Sequence, residues 1–257
     1  MLIAIEGVDK SGKETQTNML LERLRSENRD ARKIEFPNYT SEAAGAIRMY
    51  LHGDFGTNPD DVNPYAASVL FAVDRYASYK TEWEAFHDAG GIVISDRYTM
   101  SNMIHQGAKI AGDPERRLFI EWLIDLEFVK IGLPAPDIVI FLDLSMDLRI
   151  KLLERTPDDA LPAQSAGSAQ SSADINERSA DNNERSADTH ERSADIHERS
   201  TDIHERDLDY LRRSHSCARE IAAQLGWKRI DVGLGGALRP IRDIHEEIYA
   251  VIAPMLK

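Results

Sequence analysis

The sequence predicts one α/β domain in three layers, with a five-stranded, mostly parallel sheet and helices on both of its faces. Short apolar runs, typical of strands buried on both faces, alternate along the chain with longer segments whose apolar residues have helical spacing. Such alternation is typical of a mostly parallel sheet covered on both sides. Size agrees, because 257 residues, 42% of them hydrophobic, are enough for a sizeable core. We expect a single domain over residues 1–257, with one insertion.

The N-terminal part of the chain contains three of the predicted strands. Ser41 is a predicted helix cap, Pro64 opens the longest predicted helix, and Gly90-Gly91 ends it. Asp96 and Arg97 follow the third strand directly, at the edge of a parallel sheet where ligands bind. The predicted strands are 2–5, 31–36 and 92–95, and the predicted helices are 13–26, 41–53 and 64–89.

The C-terminal part supplies the other two strands. The fourth strand is the most apolar segment of the chain, and the closing helix carries four isoleucines on one stripe, predicted to face the core: Ile241, Ile244, Ile248 and Ile252. The predicted strands are 138–142 and 227–231, and the predicted helices are 101–110, 114–131, 146–155 and 240–255.

The loop between the first strand and the first helix predicts a phosphate site. It is bounded by Gly7 and Gly12 and followed by Lys13. Such a loop turns several N–H groups inward, the helix N-terminus adds partial positive charge, and the lysine reaches the outer phosphates. The usual pattern has a hydroxyl after the lysine, whereas this chain has Glu14 there and Thr15 one place later. The alternative is a chance loop, and the buried-type strand directly before it favours the phosphate site.

Charge and cysteine content exclude some classes of protein. A formal net charge of −13 argues against a broad face for nucleic acid or an anionic membrane. The single cysteine, Cys217, excludes an internal disulfide framework, fits a reducing compartment, and is predicted to be a packing residue. No apolar run approaches the roughly 20 residues that span a bilayer. We therefore expect a cytoplasmic protein without nucleic-acid or membrane partners.

Residues 172–206 repeat every seven residues, as SADINER, SADNNER, SADTHER, SADIHER and STDIHER, after a lead-in rich in Ser, Ala and Gln that begins at Ala163. On a helix, the Ala and Ile of each unit lie about 160° apart and form no apolar stripe, so a coiled coil is not expected. We interpret residues 163–206 as a solvated low-complexity insertion. The alternative is metal binding by the histidines of the repeat, and their seven-residue spacing and the absence of thiols argue against it.

Several short motifs, in their order and spacing, resemble those of the thymidylate kinase family. The resemblance covers residues 1–144 and resumes at about residue 202, so all of the repeat except its last few residues lies outside it. It implies the P-loop NTPase fold and transfer of the γ-phosphoryl group of ATP to dTMP, giving dTDP and ADP. The motifs are Gly7 to Lys13, Phe36-Pro37, Phe71 with Asp74-Arg75-Tyr76, Asp96-Arg97-Tyr98, Ser101 with Gln106-Gly107, and Gly132-Leu133-Pro134 with Pro136-Asp137.

The resemblance implies a donor site for ATP and Mg²⁺. The loop amides from Ser11 to Thr15 and the lysine would hold the β and γ phosphates, the Thr15 hydroxyl would meet the α phosphate, and Lys10 would meet the transferring group. An arginine, either Arg149 or Arg155, would stack on adenine. The ATP-binding residues implied are Gly7, Ser11, Gly12, Lys13, Glu14, Thr15, Arg149 and Arg155, and the metal ligands are Glu14 and Asp96.

The resemblance also implies an acceptor site for dTMP. Arg97 would clamp its phosphate, Phe71 would stack on thymine, and Arg75 would donate to O4 of the base. Ser101 and Gln106 would read the base edge. Asp9 would accept from the 3′-hydroxyl, and Tyr98 would press on the deoxyribose. The substrate-binding residues implied are Asp9, Phe36, Pro37, Phe71, Arg75, Arg97, Tyr98, Ser101 and Gln106, and the catalytic residues are Asp9, Lys10, Lys13 and Arg97.

Each role has a structural alternative. Phe71 is a core residue by default, Arg75 a surface charge, Ser101 a helix cap, and Asp96-Arg97 an ion pair at a strand end. Two other functions also remain open: a kinase of another pyrimidine monophosphate such as dUMP, and a non-catalytic nucleotide-binding protein that uses the repeat as its interaction surface. The family implies a homodimer, and a lid between residues 155 and 213.

Overall fold

The computed structural model describes residues 1–153 and 203–256 and contains a five-stranded sheet. All neighbouring strands of this sheet are parallel, in the order β2-β3-β1-β4-β5. The sheet and its helices confirm the predicted fold class. The strands are β1 Leu2–Gly7, β2 Ala31–Glu35, β3 Ile92–Asp96, β4 Ile138–Asp143 and β5 Lys228–Asp231.

Ten α-helical segments are found in the described residues. Most of the predicted helices begin and end within a few residues of the expected positions. The segments are α1 Lys13–Ser26, α2 Gly45–His52, α3 Pro64–Ser78, α4 Glu84–Asp88, α5 Thr99–Gly107, α6 Asp113–Ile124, α7 Met146–Leu153, α8 Ile203–Arg206, α9 Leu208–Gln224 and α10 Ile241–Ile252.

The helices lie on both faces of the sheet, as the alternation of side chains along β1 demonstrates. Leu2 and Ala4 belong to one buried cluster, which also contains core residues of α5, α6 and α9. Ile3 and Ile5 belong to a second cluster, which contains core residues of α1 and α10. Since successive strand residues point to opposite faces, the two clusters are the two interfaces of a three-layer domain.

Two predicted helices are interrupted by π-helical turns. The segment 64–89 contains the π-helical turn Tyr79–Trp83 between α3 and α4, and the segment 114–131 ends in the π-helical turn Asp125–Lys130 after α6. A π turn adds one residue and so shifts the phase of the buried face. The prediction of one uninterrupted α-helix was therefore wrong for each of the two segments. The shift has a consequence in the second turn, where Glu127 is fully buried.

The C-terminal region differs from prediction at two points. Ile244, Ile248 and Ile252 are buried, but Ile241, the first residue of α10, is 55% exposed, so the predicted stripe faces the core only from Ile244 onward. A two-stranded antiparallel hairpin that was not predicted, β6 Gly233–Leu234 and β7 Ala237–Leu238, precedes that helix.

Cys217 is buried in α9, which confirms its predicted packing role. The described residues do not include Arg155, most of the predicted lid, or the repeat up to residue 202. Ile203 and His204, near the end of the predicted insertion, are buried, so the interpretation of the insertion as solvated was wrong for these two residues. No described helix is long and apolar enough to cross a membrane.

Candidate active site

Two pockets lie side by side at the carboxyl ends of β1 and β3. The first is lined by residues of the predicted acceptor set, and the second by residues of the predicted phosphate loop. Asp9, which follows β1, and Arg97, which follows β3, line both pockets. The two strands are neighbours in the sheet, so their carboxyl ends bring these residues together. The two pockets therefore meet at one charged pair.

The loop after β1 has the backbone geometry of a phosphate cradle. Gly12, at the start of α1, has φ +86°, and Lys10 has φ +68°, both in the left-handed region. A Cβ on Gly7 would lie 2.7 Å from the backbone oxygen of Leu142 in the neighbouring strand, so this position requires glycine. The second pocket is lined by Asp9, Lys10 and Gly12 from the loop and by Lys13, Glu14 and Thr15 from the first turn of α1.

Lys13 lies at the base of this pocket and is almost fully buried. Its Nζ donates to the backbone oxygen of Val8, 3.0 Å away, within the same loop. Burial and the nearby charge of Arg97 lower the pKa of Lys13 to about 8, although neighbouring carboxylates, Asp9 the foremost, partly oppose this. The ammonium group is therefore held inside the loop, ready to exchange a carbonyl partner for a phosphate oxygen.

Besides Asp9, two carboxylates line the second pocket together with Lys13. Glu14 is exposed on the first turn of α1, and Asp96 is buried at the end of β3. Burial raises the pKa of Asp96, and the charges of Lys13 and Arg97 partly offset this rise. Among residues 1–153 and 203–256 no group of three or more ligating side chains could hold a metal unaided. Two carboxylate oxygens beside a phosphate site nevertheless fit Mg²⁺, which takes its other ligands from phosphate and water.

Asp9 is held between two arginines. The guanidinium of Arg97 forms an ion pair with Asp9 Oδ1, and Arg149 Nη2 lies 3.1 Å from Oδ2. Burial alone would raise the pKa of Asp9, but the charges of Arg97 and Lys13 outweigh it and hold this pKa well below its usual range. Arg97 has φ +64°, a conformation that few non-glycine residues adopt and that concentrates at functional sites.

A fully buried carboxylate, Glu6, fixes the start of α5. Its Oε1 accepts from the backbone N–H of Tyr98 at 2.7 Å and of Ser101 at 3.1 Å, and its Oε2 accepts from the Ser101 hydroxyl at 2.8 Å. The Ser101 hydroxyl therefore donates its proton to Glu6, and the lone pairs of its oxygen remain available as hydrogen-bond acceptors on the pocket side. The Tyr98 hydroxyl donates to the backbone oxygen of Pro134, 3.0 Å away, which fixes the ring in the pocket wall.

The base-binding side of the first pocket contains Phe71 and Arg75, both from α3. Phe71 is half-buried, with its ring edge-to-face on Tyr50 at 6.1 Å. Arg75 is 1% exposed, so the alternative that it is a surface charge was wrong. Its Nε and Nη2 both donate to Glu127, which leaves Nη1 for another acceptor.

The structure brings most of the predicted residues together. All nine predicted dTMP-binding residues line the first pocket, and at the second pocket the predicted metal ligand Asp96 lies with Lys10, Gly12, Lys13, Glu14 and Thr15. Gly7 and Ser11 shape the loop without lining either pocket. Arg149 is fully buried, with Nη2 3.1 Å from Asp9 Oδ2, and it lines neither pocket, so its stacking on adenine stays a prediction.

Sequence reasoning missed several residues of the first pocket. Asn102, His105 and His204 line it, and Glu6 and Glu127 hold its walls from behind. His105 could have been found, because it lies four residues after Ser101 and so shares a helix face with it. The seven-residue pattern did not distinguish His204 from the other histidines, and the only signal was that the resemblance to the family resumes at about residue 202.

A family model described as thymidylate kinase matches residues 5–170. The chain is 36% identical over 149 residues to the thymidylate kinase of Mycobacterium tuberculosis (strain CDC 1551 / Oshkosh), covering 58% of this chain and 68% of that relative. It is 30% identical over 145 residues to the thymidylate kinase of Homo sapiens, covering 56% and 61%. A solved thymidylate kinase from Candida albicans has a TM-score of 0.59 at 20% identity, with 99% of this chain and 91% of that one covered, a likeness of fold.

Proposed function

The chain belongs to the thymidylate kinase family, and we propose that its two adjoining pockets transfer the γ-phosphoryl group of ATP to dTMP. It is an ATP-dependent nucleoside monophosphate kinase that phosphorylates dTMP, giving dTDP and ADP. The proposal that one pocket binds the donor and the other the acceptor rests on one observation, which is that Asp9 and Arg97 line both pockets. A donor and an acceptor held in two pockets would meet at that pair.

The second pocket is the proposed donor site. The N–H groups of the loop and the first turn of α1 would cradle the β and γ phosphates, with Lys13 on the outer oxygens. Thr15 would donate to the α phosphate. Lys10, held at the loop tip, would approach the group in transfer. Glu14 and Asp96 would hold Mg²⁺, which supplies positive charge that neutralises the phosphate oxygens.

Arg97 is the proposed anchor of the acceptor phosphate. Burial alone would lower the pKa of Arg97, but Asp9, Glu6 and Asp96 raise it, so the guanidinium keeps its charge. An oxygen of the dTMP phosphate attacks the γ phosphorus as the bond from that phosphorus to the leaving ADP oxygen breaks. The protein contributes position and charge rather than covalent chemistry. Asp9, released from Arg97 by the incoming phosphate, would accept from the 3′-hydroxyl.

Base recognition is proposed for the other end of the first pocket. Phe71 would stack on the pyrimidine, and Arg75 would donate its remaining Nη1 to a base carbonyl. Gln106 Oε1 is buried and finds no hydrogen-bond partner in residues 1–153 and 203–256, so it is available to the N3–H donor of the base. Asn102 Nδ2 is engaged with the backbone oxygen of Ser68. Tyr98 would limit the space beside the sugar.

We also propose a cytoplasmic homodimer that contacts neither nucleic acid nor membrane. Four apolar side chains on one face of α3 are 38–51% exposed: Tyr65, Val69, Val73 and Tyr76. Their spacing of four, four and three residues forms one stripe suited to a second copy. We expect wild-type protein to sediment as a dimer and Val73→Glu to sediment as a monomer; a monomeric wild type would contradict this proposal.

A coupled assay of ADP release tests the function directly. Each of dTMP, dUMP, dCMP and dGMP is supplied with ATP and Mg²⁺, and kcat/KM is compared. We expect dTMP to give the highest value. A higher value for dUMP would favour the broader pyrimidine kinase. ATP binding without ADP formation from any monophosphate would favour a non-catalytic nucleotide-binding protein.

A further inference from the structure

The end of the seven-residue repeat is built into the wall of the acceptor pocket. The last unit occupies residues 200–206, and its isoleucine and histidine are Ile203 and His204 in α8. Ile203 is 1% exposed and packs in a buried cluster with Ile47, Tyr50 and Leu51. This apolar contact fixes the position of the next residue in the chain.

His204 is held by a polar network as well as by its neighbour. Its Nε2 lies 2.8 Å from the hydroxyl of Tyr50, and Lys109 Nζ lies 2.8 Å from the same hydroxyl. An ammonium group can only donate, so Lys109 donates to the hydroxyl oxygen. We assign the Tyr50 proton to His204 Nε2, which makes that nitrogen an acceptor and places the ring proton of a neutral imidazole on Nδ1.

His204 stacks on a second histidine from the body of the domain. The rings of His204 and His105 are nearly parallel, 8° apart, with centroids 5.4 Å from each other. Both rings line the acceptor pocket, as do Asp9, Phe71 and Gln106. Two stacked imidazoles thus form a flat part of the wall.

Both imidazoles of this wall are uncharged near neutral pH. Burial and the charge of Lys109 lower the pKa of His204 to about 3. Burial, His204 and the arginines of the pocket lower the pKa of His105, although Asp9 opposes them. The two rings therefore stack without repulsion between like charges.

We propose that His204, supplied by the last repeat unit, is a positioning residue that holds the His105 ring against the nucleoside of the acceptor. This inference rests on the proposed function, since it assigns the pocket to a pyrimidine nucleoside monophosphate. A flat, neutral wall would narrow the pocket and exclude water around the bound nucleoside. Such a contact is made equally in the ground state and the transition state, so its loss should raise KM for the acceptor and spare kcat.

The test compares two alanine substitutions at the same heptad position. His204→Ala is expected to raise KM for dTMP about tenfold, with kcat within about threefold and KM for ATP within about twofold of wild type. His197→Ala changes the identical IHER sequence one unit earlier and is expected to leave all three values within about twofold. His204→Gln keeps an acceptor for the Tyr50 hydroxyl but lacks the ring. We expect it to unfold thermally like wild type while still raising KM for dTMP.

Calorimetric titration of dTMP into each variant gives a second readout that does not depend on turnover. The inference is overturned if His204→Ala leaves both KM and the dissociation constant within about twofold of wild type, or if His197→Ala raises them equally. Those results would leave the proposed function intact, because wild type would still form ADP with dTMP. A wild type that neither binds nor phosphorylates dTMP would overturn both proposals.

Discussion

Arg75 and Glu127 form a bidentate ion pair inside the domain, with Nε 2.7 Å from Oε2 and Nη2 2.6 Å from Oε1. Both side chains are essentially inaccessible to solvent, and Thr99 Oγ1 donates to the same carboxylate at 2.8 Å. Arg75 comes from α3, and Glu127 comes from the π-helical turn after α6. The pair therefore fixes the guanidinium that faces the proposed base site.

Replacing Glu127 by Gln should strongly destabilise the protein. The substitution leaves the Arg75 charge buried without a counter-charge, which costs about 3–5 kcal/mol of unfolding free energy. Urea unfolding at pH 7 measures this loss. The matched control is Asp60→Asn, which removes the partner of Arg213 in a pair with 2.7 Å between Nη2 and Oδ2 and side chains about half exposed. It should cost no more than about 1 kcal/mol. Equal losses for the two variants would contradict the importance of burial.

The contrast between the loop after β1 and the Arg75–Glu127 pair explains what the sequence could predict. The strand, the glycine loop and the helix that follows it are specified by neighbouring residues, so periodicity and spacing identified them. Arg75 and Glu127 are 52 residues apart, and their pairing depends on a phase shift at a π turn that no apolar pattern reveals. Seen alone, Arg75 therefore resembled a surface charge.

The same reasoning applies to the histidines of the acceptor pocket. His204 and His197 occur in nearly identical repeat units, so composition gave no reason to separate them. The distinction arises from the contact of Ile203 with Tyr50 and Leu51, more than 150 residues earlier in the chain. Long-range packing of this kind is what a single sequence leaves open.

Lys13 should give the reaction a high-pH limit. Its pKa is lowered to about 8, so the free enzyme loses the ammonium charge above that pH and with it the attraction for ATP phosphates. The value of kcat/KM for ATP reports groups of the free enzyme and should fall up to about tenfold per pH unit above about 8. Lys13→Arg keeps its positive charge throughout this range, so its kcat/KM for ATP should no longer fall above about pH 8, although the variant should be slower than wild type at every pH. If kcat/KM for ATP falls above pH 8 in Lys13→Arg as it does in wild type, the fall is caused by the titration of a group other than Lys13.

Glu14 should control the requirement for magnesium. Glu14→Gln removes a carboxylate from the proposed metal site, so the Mg²⁺ concentration for half-maximal rate should rise about tenfold, or about 1.4 kcal/mol. Titration of Mg²⁺ at saturating ATP and dTMP measures it. Glu22→Gln, on an exposed position of the same helix and outside both pockets, is the matched control and should have no effect. A response that is the same for both variants would remove Glu14 from the metal site.

Arg97→Ala should lower kcat/KM for dTMP far more than deletion of most of the repeat does. Among the described residues, Arg97 is the only positively charged side chain that lines both pockets, and Arg97→Ala removes it. Loss of one such preorganised charge costs about 100-fold or more in rate, so we expect at least that fall in kcat/KM for dTMP. Deletion of residues 163–199 retains the last repeat unit with His204 and should lower the same parameter less than about tenfold, since the family model ends at residue 170 and leaves most of the deleted residues unmatched. If the deletion is as damaging as Arg97→Ala, the removed units take part in catalysis, and their interpretation as a solvated insertion is wrong.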